Sequence, residues 1–271
     1  TTNIYAATDS GKYKLDISNA EGCTNQTQEV NVNVSATPSS PLISTEGVTT
    51  FCQGDSINLS VAHNPAYTYN WKLNGGAIGT NNSTFIAKSS GNYSLEVSNA
   101  SGCVVNSSNI VPVTVNAKPT VPTVSISGNT DFCQGGNVVL SVINNLANTY
   151  QWMNKVNNIS GATTNSYAAT DSGKYKLNIS NAEGCTNQTQ EVTVNVSPTP
   201  SAPLISTFGD TIFCTGDSIL LSVADNPTYT YQWKLNEVAV GQGNSSIIAR
   251  NSGEYSVQVV NSFGCSVLSS N

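Results

Sequence analysis

The 271-residue chain reads as an all-β protein, a string of antiparallel β-sandwich domains set end to end. Three observations predict this. Apolar residues alternate with polar ones over short stretches, as at Ile57, Leu59 and Val61, and no stretch shows the three-to-four spacing of a helix. Gly, Asn, Ser and Pro separate those stretches, as turns separate strands. The sequence also repeats. Residues 163–197 reproduce residues 1–35 with three differences (Ile4/Ser166, Asp16/Asn178, Asn31/Thr193), and Cys52, Cys133 and Cys214 recur every 81 residues. Self-similarity at a fixed period marks an array of units that each pack on their neighbours.

Each unit runs through the same events. A proline-bearing linker comes first (Pro38, Pro41; Pro119, Pro122; Pro198, Pro200, Pro203), and proline restricts φ and favours a stiff, extended joint. Phe-Cys follows, at Phe51-Cys52, Phe132-Cys133 and Phe213-Cys214, then a turn glycine and an alternating strand ending at Val61, Val142 or Val223. A Tyr-x-Trp strand carries Trp71, Trp152 and Trp233. A Ser-Gly-x-Tyr strand carries Tyr93 and Leu95, Tyr175 and Leu177, Tyr255 and Val257. These valines, tryptophans, tyrosines and leucines are the expected core. An Asn-x-x-Gly-Cys turn then leads to a final alternating strand such as residues 110–115.

On this register residues 1–36 are the C-terminal part of a unit, with strands around Tyr5, Tyr13–Ile17 and Val30–Val34. Residues 37–117 and 118–198 are complete units, and residues 199–271 form a unit lacking its last strand. The two ends are not mutually complementary, because the first wants its early strands and the last only its final one. That count speaks against donor-strand closure between copies.

Only 10% of residues are charged, against roughly 25% in an ordinary domain, and Asn, Ser and Thr take their place. The net charge of −6 argues against nucleic acid and anionic lipid as partners. No 18-residue apolar run is present to insert into a membrane. Seven cysteines at regular spacing read as disulfides of an oxidising compartment rather than as metal ligands, since no two lie within five residues and His63 is the sole histidine. No nucleophile and base recur or cluster, so neither an enzyme nor a cofactor is expected. His63 reads as a solvated loop residue.

The motif Asp9-Ser10-Gly11-Lys12-Tyr13, repeated at 171–175 and as Asn251-Ser252-Gly253-Glu254-Tyr255, resembles the tyrosine corner of immunoglobulin-like domains. Trp71 likewise resembles their buried tryptophan. The places of the antibody core disulfide hold Val61 and Leu95, Val142 and Leu177, and Val223 and Val257 instead. With cysteines moved to strand ends, the pattern resembles the immunoglobulin- and PKD-like repeats of very long Bacteroidota surface proteins, including gliding adhesins exported by the type IX system. The resemblance implies an extracellular, cell-surface location and adhesion. Asp-Ser/Thr-apolar triplets at Ser56, Thr211 and Ser218 resemble O-glycan acceptors in these bacteria, although Asp and Ser also simply suit the turn into a strand.

Two disulfide schemes are open. Pairing within units (Cys52–Cys103, Cys133–Cys185, Cys214–Cys265) leaves Cys23 over. Immunoglobulin-like topology instead places the two cysteines of one unit at opposite ends, too far apart for the roughly 7 Å limit on Cα separation. That favours Cys52–Cys185 and Cys133–Cys265, each stapling consecutive domains. The expected function is a stiff, disulfide-stapled stalk or filament, with neighbouring repeats and like chains as partners. The alternatives are a multivalent module for a polysaccharide or protein ligand, or the spacer of a secreted enzyme. Near-identity of 1–35 and 163–197, even in loops, favours a spacer over a dedicated site.

Overall fold

The computed structural model describes residues 3–79 and 81–271, and these contain strands but no helix. They fall into two units, Thr1–Ala117 and Lys118–Asn271. Immunoglobulin-like sandwiches in tandem make up the chain, with cores around Trp71 in the first unit and around Trp152 and Trp233 in the second.

In the first unit, one sheet of the sandwich has the strand order Thr84–Ala87, Ile57–Ser60, Ser44–Glu46. The facing sheet runs Thr50–Cys52, Val111–Asn116, Gly91–Asn99, Tyr67–Leu73, Gly76–Ala77. Alternation fixes the register. Leu95 lies opposite Trp71, and Val97 opposite Tyr69, so every second residue of both strands enters the core while the residues between them face outward. All the expected core residues are buried save Tyr255, which is only half-buried.

The polar ends of the core aromatics find partners. The Trp71 Nε1–H donates to Asn82 O at 2.9 Å, Trp152 to Thr164 O at 3.1 Å and Trp233 to Asn244 O at 3.1 Å. The hydroxyl of Tyr93 donates to Ser89 O at 2.9 Å, and that of Tyr175 to Asp171 O at 2.8 Å. An unpaired buried group would cost roughly 1–3 kcal/mol, so these bonds decide which loop closes over each ring. The glycine before the corner tyrosine has a steric reason. Gly91 has φ +146°, and a Cβ there would sit 2.4 Å from Leu73 Cδ1.

Residues 1–36 depart from the expected three strands. Ile4–Ala7, the counterpart of the strand Ser166–Ala169, is not a strand, and the corner strand is broken into Gly11–Tyr13 and Asp16–Ser18. Ser166–Ala169 pairs with Val138–Ser141, and Gly173–Asn181 with Asn148–Asn154. No equivalents of those two partner strands lie against residues 3–36 among the described residues.

In residues 199–271 the Phe-Cys stretch Thr211–Cys214 forms no strand, whereas Thr50–Cys52 and Asp131–Cys133 do. Those two pair in parallel with the final strand of their sandwich. The last described strand of residues 199–271 is Ser266–Leu268, so that template is missing there.

Candidate functional site: a stapled joint

The second unit contains a complete joint between consecutive sandwiches, and its geometry is built from short sequence signals. Phe132 packs against the core, which draws Asp131–Cys133 alongside Val192–Ser197 with Phe132 opposite Val196 and Cys133 opposite Ser197. Asn195 Nδ2 donates to Asp131 Oδ1 at 2.7 Å, and the Gln134 N–H donates to Ser197 O at 2.8 Å. A turn then carries the chain away: Gly136 N–H donates to Cys133 O at 2.9 Å, with Gly135 in the left-handed region. Cys133 is thereby fixed where the linker leaves the sandwich.

The next sandwich offers its Asn-x-x-Gly-Cys turn to the same place. Asn261 Oδ1 accepts from the N–H groups of Phe263 and Cys265, both at 3.0 Å, so one side chain holds the turn closed. Its Nδ2 donates to Pro198 O of the linker at 2.8 Å. Cys265 is buried, its Sγ lies 3.9 Å from Ser197 O, and it is joined to Cys133 with a Cα–Cα distance of 5.6 Å. Pro200 is buried, and Pro203 O accepts from Ser270 N–H at 3.2 Å. The linker is therefore pinned chain rather than free chain.

Within the first unit the joint before residue 37 shows the same contacts. Asn99 Nδ2 donates to Ala36 O at 2.8 Å, Asn99 Oδ1 accepts from Cys103 N–H at 3.0 Å, and Cys103 Sγ lies 3.7 Å from Ser35 O. The asparagine of the turn was legible only as a turn residue. Its second hydrogen bond, back to the preceding linker, could have been sought in the exact recurrence of Asn19, Asn99, Asn181 and Asn261 four residues before each late cysteine.

Cys52 and Cys185 are disulfide-bonded, whereas Cys23, Cys103 and Cys214 are free. Ser56, Thr211 and Ser218 are exposed, as is His63, whose ring stacks at 6.1 Å from that of Tyr69. Among the described residues no three His, Cys, Asp or Glu side chains converge as metal ligands would. Burial, then the neighbouring Tyr167 and Asp171, push the Tyr175 phenol above its ordinary range. Its hydroxyl is engaged with Asp171 O.

The family model for the CHU_C-associated Ig-like domain matches residues 38–119 and again 119–198, together more than half of the chain. The chain belongs to this family. The chain is also similar to several solved structures. An I-band fragment of titin is 14% identical, with 86% of this chain and 97% of that one covered at a TM-score of 0.36. Extracellular domains 3–5 of Drosophila OTK are 16% identical, covering 87% and 97% at 0.32. A Ca2+-stabilised adhesin by which an Antarctic bacterium binds ice is 13% identical, covering 94% and 79% at 0.34. No curated protein sequence matches the chain.

Proposed function

We propose that this chain is a load-bearing segment of a long extracellular repeat protein, a stalk or filament whose consecutive Ig-like domains are covalently stapled at each joint. The observation that carries this reading is the Cys133–Cys265 disulfide. It links two separate hydrophobic cores across 132 residues, and does so where Asn261 already clamps the linker. A disulfide that merely stabilised one sandwich would lie within it. This one restricts rotation between sandwiches and provides a covalent bypass of the linker.

Cys52 and Cys185 occupy the corresponding places one repeat earlier, and both are disulfide-bonded. We assign them to the preceding staple, which makes residues 37–117, 118–198 and 199–271 three successive links. Disulfides of this kind persist in oxidising surroundings, which supports an extracellular location. The weakly charged surface is rich in Asn, Ser and Thr, and residues 1–35 and 163–197 are nearly identical even in loops, so we assign the segment spacing and tension rather than recognition. Exposed Ser56, Thr211 and Ser218 are the proposed glycan attachment points.

Peptide mapping of the oxidised chain without reduction tests the assignment. The expected products are cross-linked peptides containing Cys52 with Cys185 and Cys133 with Cys265. A peptide joining Cys52 to Cys103 would overturn it.

A further inference from the structure

The loop that enters the Tyr-x-Trp strand differs from sandwich to sandwich. It reads Ala62-His63-Asn64-Pro65-Ala66-Tyr67 before Trp71, Ile143-Asn144-Asn145-Leu146-Ala147-Asn148 before Trp152, and Ala224-Asp225-Asn226-Pro227-Thr228-Tyr229 before Trp233. The shared asparagine is structural in all three. The N–H groups of Asn64, Asn145 and Asn226 donate to the hydroxyl of the tyrosine five residues on, at 2.6, 2.7 and 2.6 Å. Tyr67 and Tyr229 then pack against their cores. Asn148 holds that position before Trp152, since it stands opposite Asn181 as Tyr67 stands opposite Asn99. Strand alternation puts Asn148 on the same side as buried Tyr150 and Trp152. An amide thus stands where the other two sandwiches carry an aromatic ring.

The connection after the Tyr-x-Trp strand differs as well. The Trp152 Nε1–H reaches a carbonyl twelve residues on, whereas those of Trp71 and Trp233 reach one eleven residues on, so this connection is one residue longer. The extra length is not slack. Ala162 is buried, its carbonyl accepts the Trp152 N–H at 2.9 Å, and Gln151 Nε2 donates to Ile159 O at 2.8 Å. One fastening is lost: Asn81 Oδ1 accepts the Tyr69 N–H at 2.8 Å, but no side chain among the described residues accepts the Tyr150 N–H.

Between the altered loop and the altered connection lies an open groove of ≈ 580 Å³, wholly within the complete sandwich of residues 118–198. It is lined among others by Asn144, Leu146, Asn148, Tyr150, Thr163 and Asn165. The side-chain amides of Asn144 and Asn148, the Oδ1 of Asn165 and the Thr163 hydroxyl make no hydrogen bond among the described residues. No Asp, Glu, Lys, Arg or His is among the lining residues. Leu146 is 94% exposed. The walls are nevertheless fixed. Asn165 Nδ2 donates to Val142 O and the Val142 N–H to Asn165 O, both at 2.9 Å, and the Tyr150 hydroxyl is engaged with Asn145.

We propose that this groove is a binding site for a neutral saccharide. An amide both donates and accepts, as a sugar hydroxyl does, so Asn144 and Asn148 can each engage neighbouring hydroxyls. The groove has no fixed charge with which to hold an ion. Leu146 supplies an apolar contact for the C–H groups of a sugar ring. The volume falls in the roughly 300–1,000 Å³ range of small-ligand sites, and pinned walls lower the ordering cost of binding. A peptide fits less well, because strand addition needs a run of free backbone groups on a sheet edge. The Asn148 and Trp152 N–H groups on either side of Tyr150 are already given to Asn145 O and Ala162 O. The site adds recognition by one sandwich to the structural role of the array, and does not rest on that role.

The experiment applies the 271-residue chain, biotinylated and gathered on streptavidin so that weak sites act together, to an array of neutral glycans and to a library of uncharged peptides. Binding to a class of neutral glycans is expected. The best-bound oligosaccharide, added to the 15N-labelled chain, should then shift amide signals of residues 143–150 and 163–165. Asn148→Tyr installs the ring that the other two sandwiches carry, and should abolish binding without lowering the melting temperature. Asn144→Ala, a change on an exposed loop, should weaken binding about two- to tenfold by removing one amide, and serves as the test should Asn148→Tyr not fold. Silence across the glycan array overturns the proposal. So does binding that shifts only residues elsewhere, or that folded Asn148→Tyr leaves intact, and so does capture of peptides in place of glycans.

Discussion

Glu96 shows how a single residue can matter in one repeat and nowhere else. Its carboxylate takes a 2.6 Å hydrogen bond from Lys72 Nζ on the neighbouring strand. That bond, opposed by partial desolvation and helped by Asn70, holds Glu96 below its ordinary range. The corresponding pairs are Met153 with Asn178 and Lys234 with Gln258, so neither other sandwich has this link. Because the folded value is lowered, the stabilisation is complete above about pH 4.5 and is lost as pH falls through the lowered value. With both side chains about a quarter to a third exposed, it amounts to roughly 1 kcal/mol or less. Hydrogen exchange of the amides in Gly91–Asn99 should therefore quicken below pH 4.5 in the natural chain, relative to Glu96→Gln. An identical pH response in both would contradict this account.

At the scale of the strand, burial comes from partners rather than from composition. Leu177 sits opposite Trp152 and is 0% exposed, whereas Leu15 in the same local sequence is 50% exposed. Ile179 and Ile17 divide in the same way, 0% against 53%. Leu177→Ala should cost roughly 2–5 kcal/mol, because it removes core contacts and leaves a cavity. Leu15→Ala should stay within about 0.5 kcal/mol, as expected of a surface change. Denaturant unfolding of the two variants checks this. Equal losses would mean that residues 3–36 are packed as tightly as their counterparts.

At the scale of the whole molecule, the staple changes how the chain bears force. Where this staple acts alone, load entering at Cys133 crosses directly to Cys265 and the residues between them lie outside the path of tension, whereas the proposed Cys52–Cys185 staple returns load to the chain at Cys185. In the chain-entropy model a closed loop of this length also stabilises the folded state by roughly 5 kcal/mol. In a Cys52→Ser, Cys185→Ser variant, where this staple acts alone, pulling on the two ends of the oxidised chain should leave that loop unextended. Reduction should then release roughly 450 Å of extra contour from this staple, at about 3.4 Å per residue over its 132-residue separation. Equal contour lengths before and after reduction would show that the bond does not carry load.

The duplicated segments separate what the sequence determines from what the tertiary structure decides. In both, the corner tyrosine donates to the carbonyl four residues back, Tyr13 to Asp9 at 3.0 Å and Tyr175 to Asp171 at 2.8 Å. The asparagine turn closes in both, Asn19 on Cys23 and Asn181 on Cys185. The hairpin pairs Ile17 with Asn25 in one and Ile179 with Asn187 in the other, and the last strand returns to Gly11 or to Gly173. These features join residues at most about two dozen positions apart, and so they follow wherever the sequence occurs. The strand Ser166–Ala169, the unbroken run Gly173–Asn181 and the burial of Leu177 appear in one copy only. They need the alternating and Tyr-x-Trp strands, and backbone N–H and C=O groups on a sheet edge stay paired only while a neighbouring strand is there. Fold class and core pattern were legible because alternation and turn chemistry are local. The meeting of Cys133 with Cys265 was expected from immunoglobulin-like topology and not from spacing alone, since 132 residues of sequence say nothing of distance until two sandwiches have folded and the linker between them is pinned.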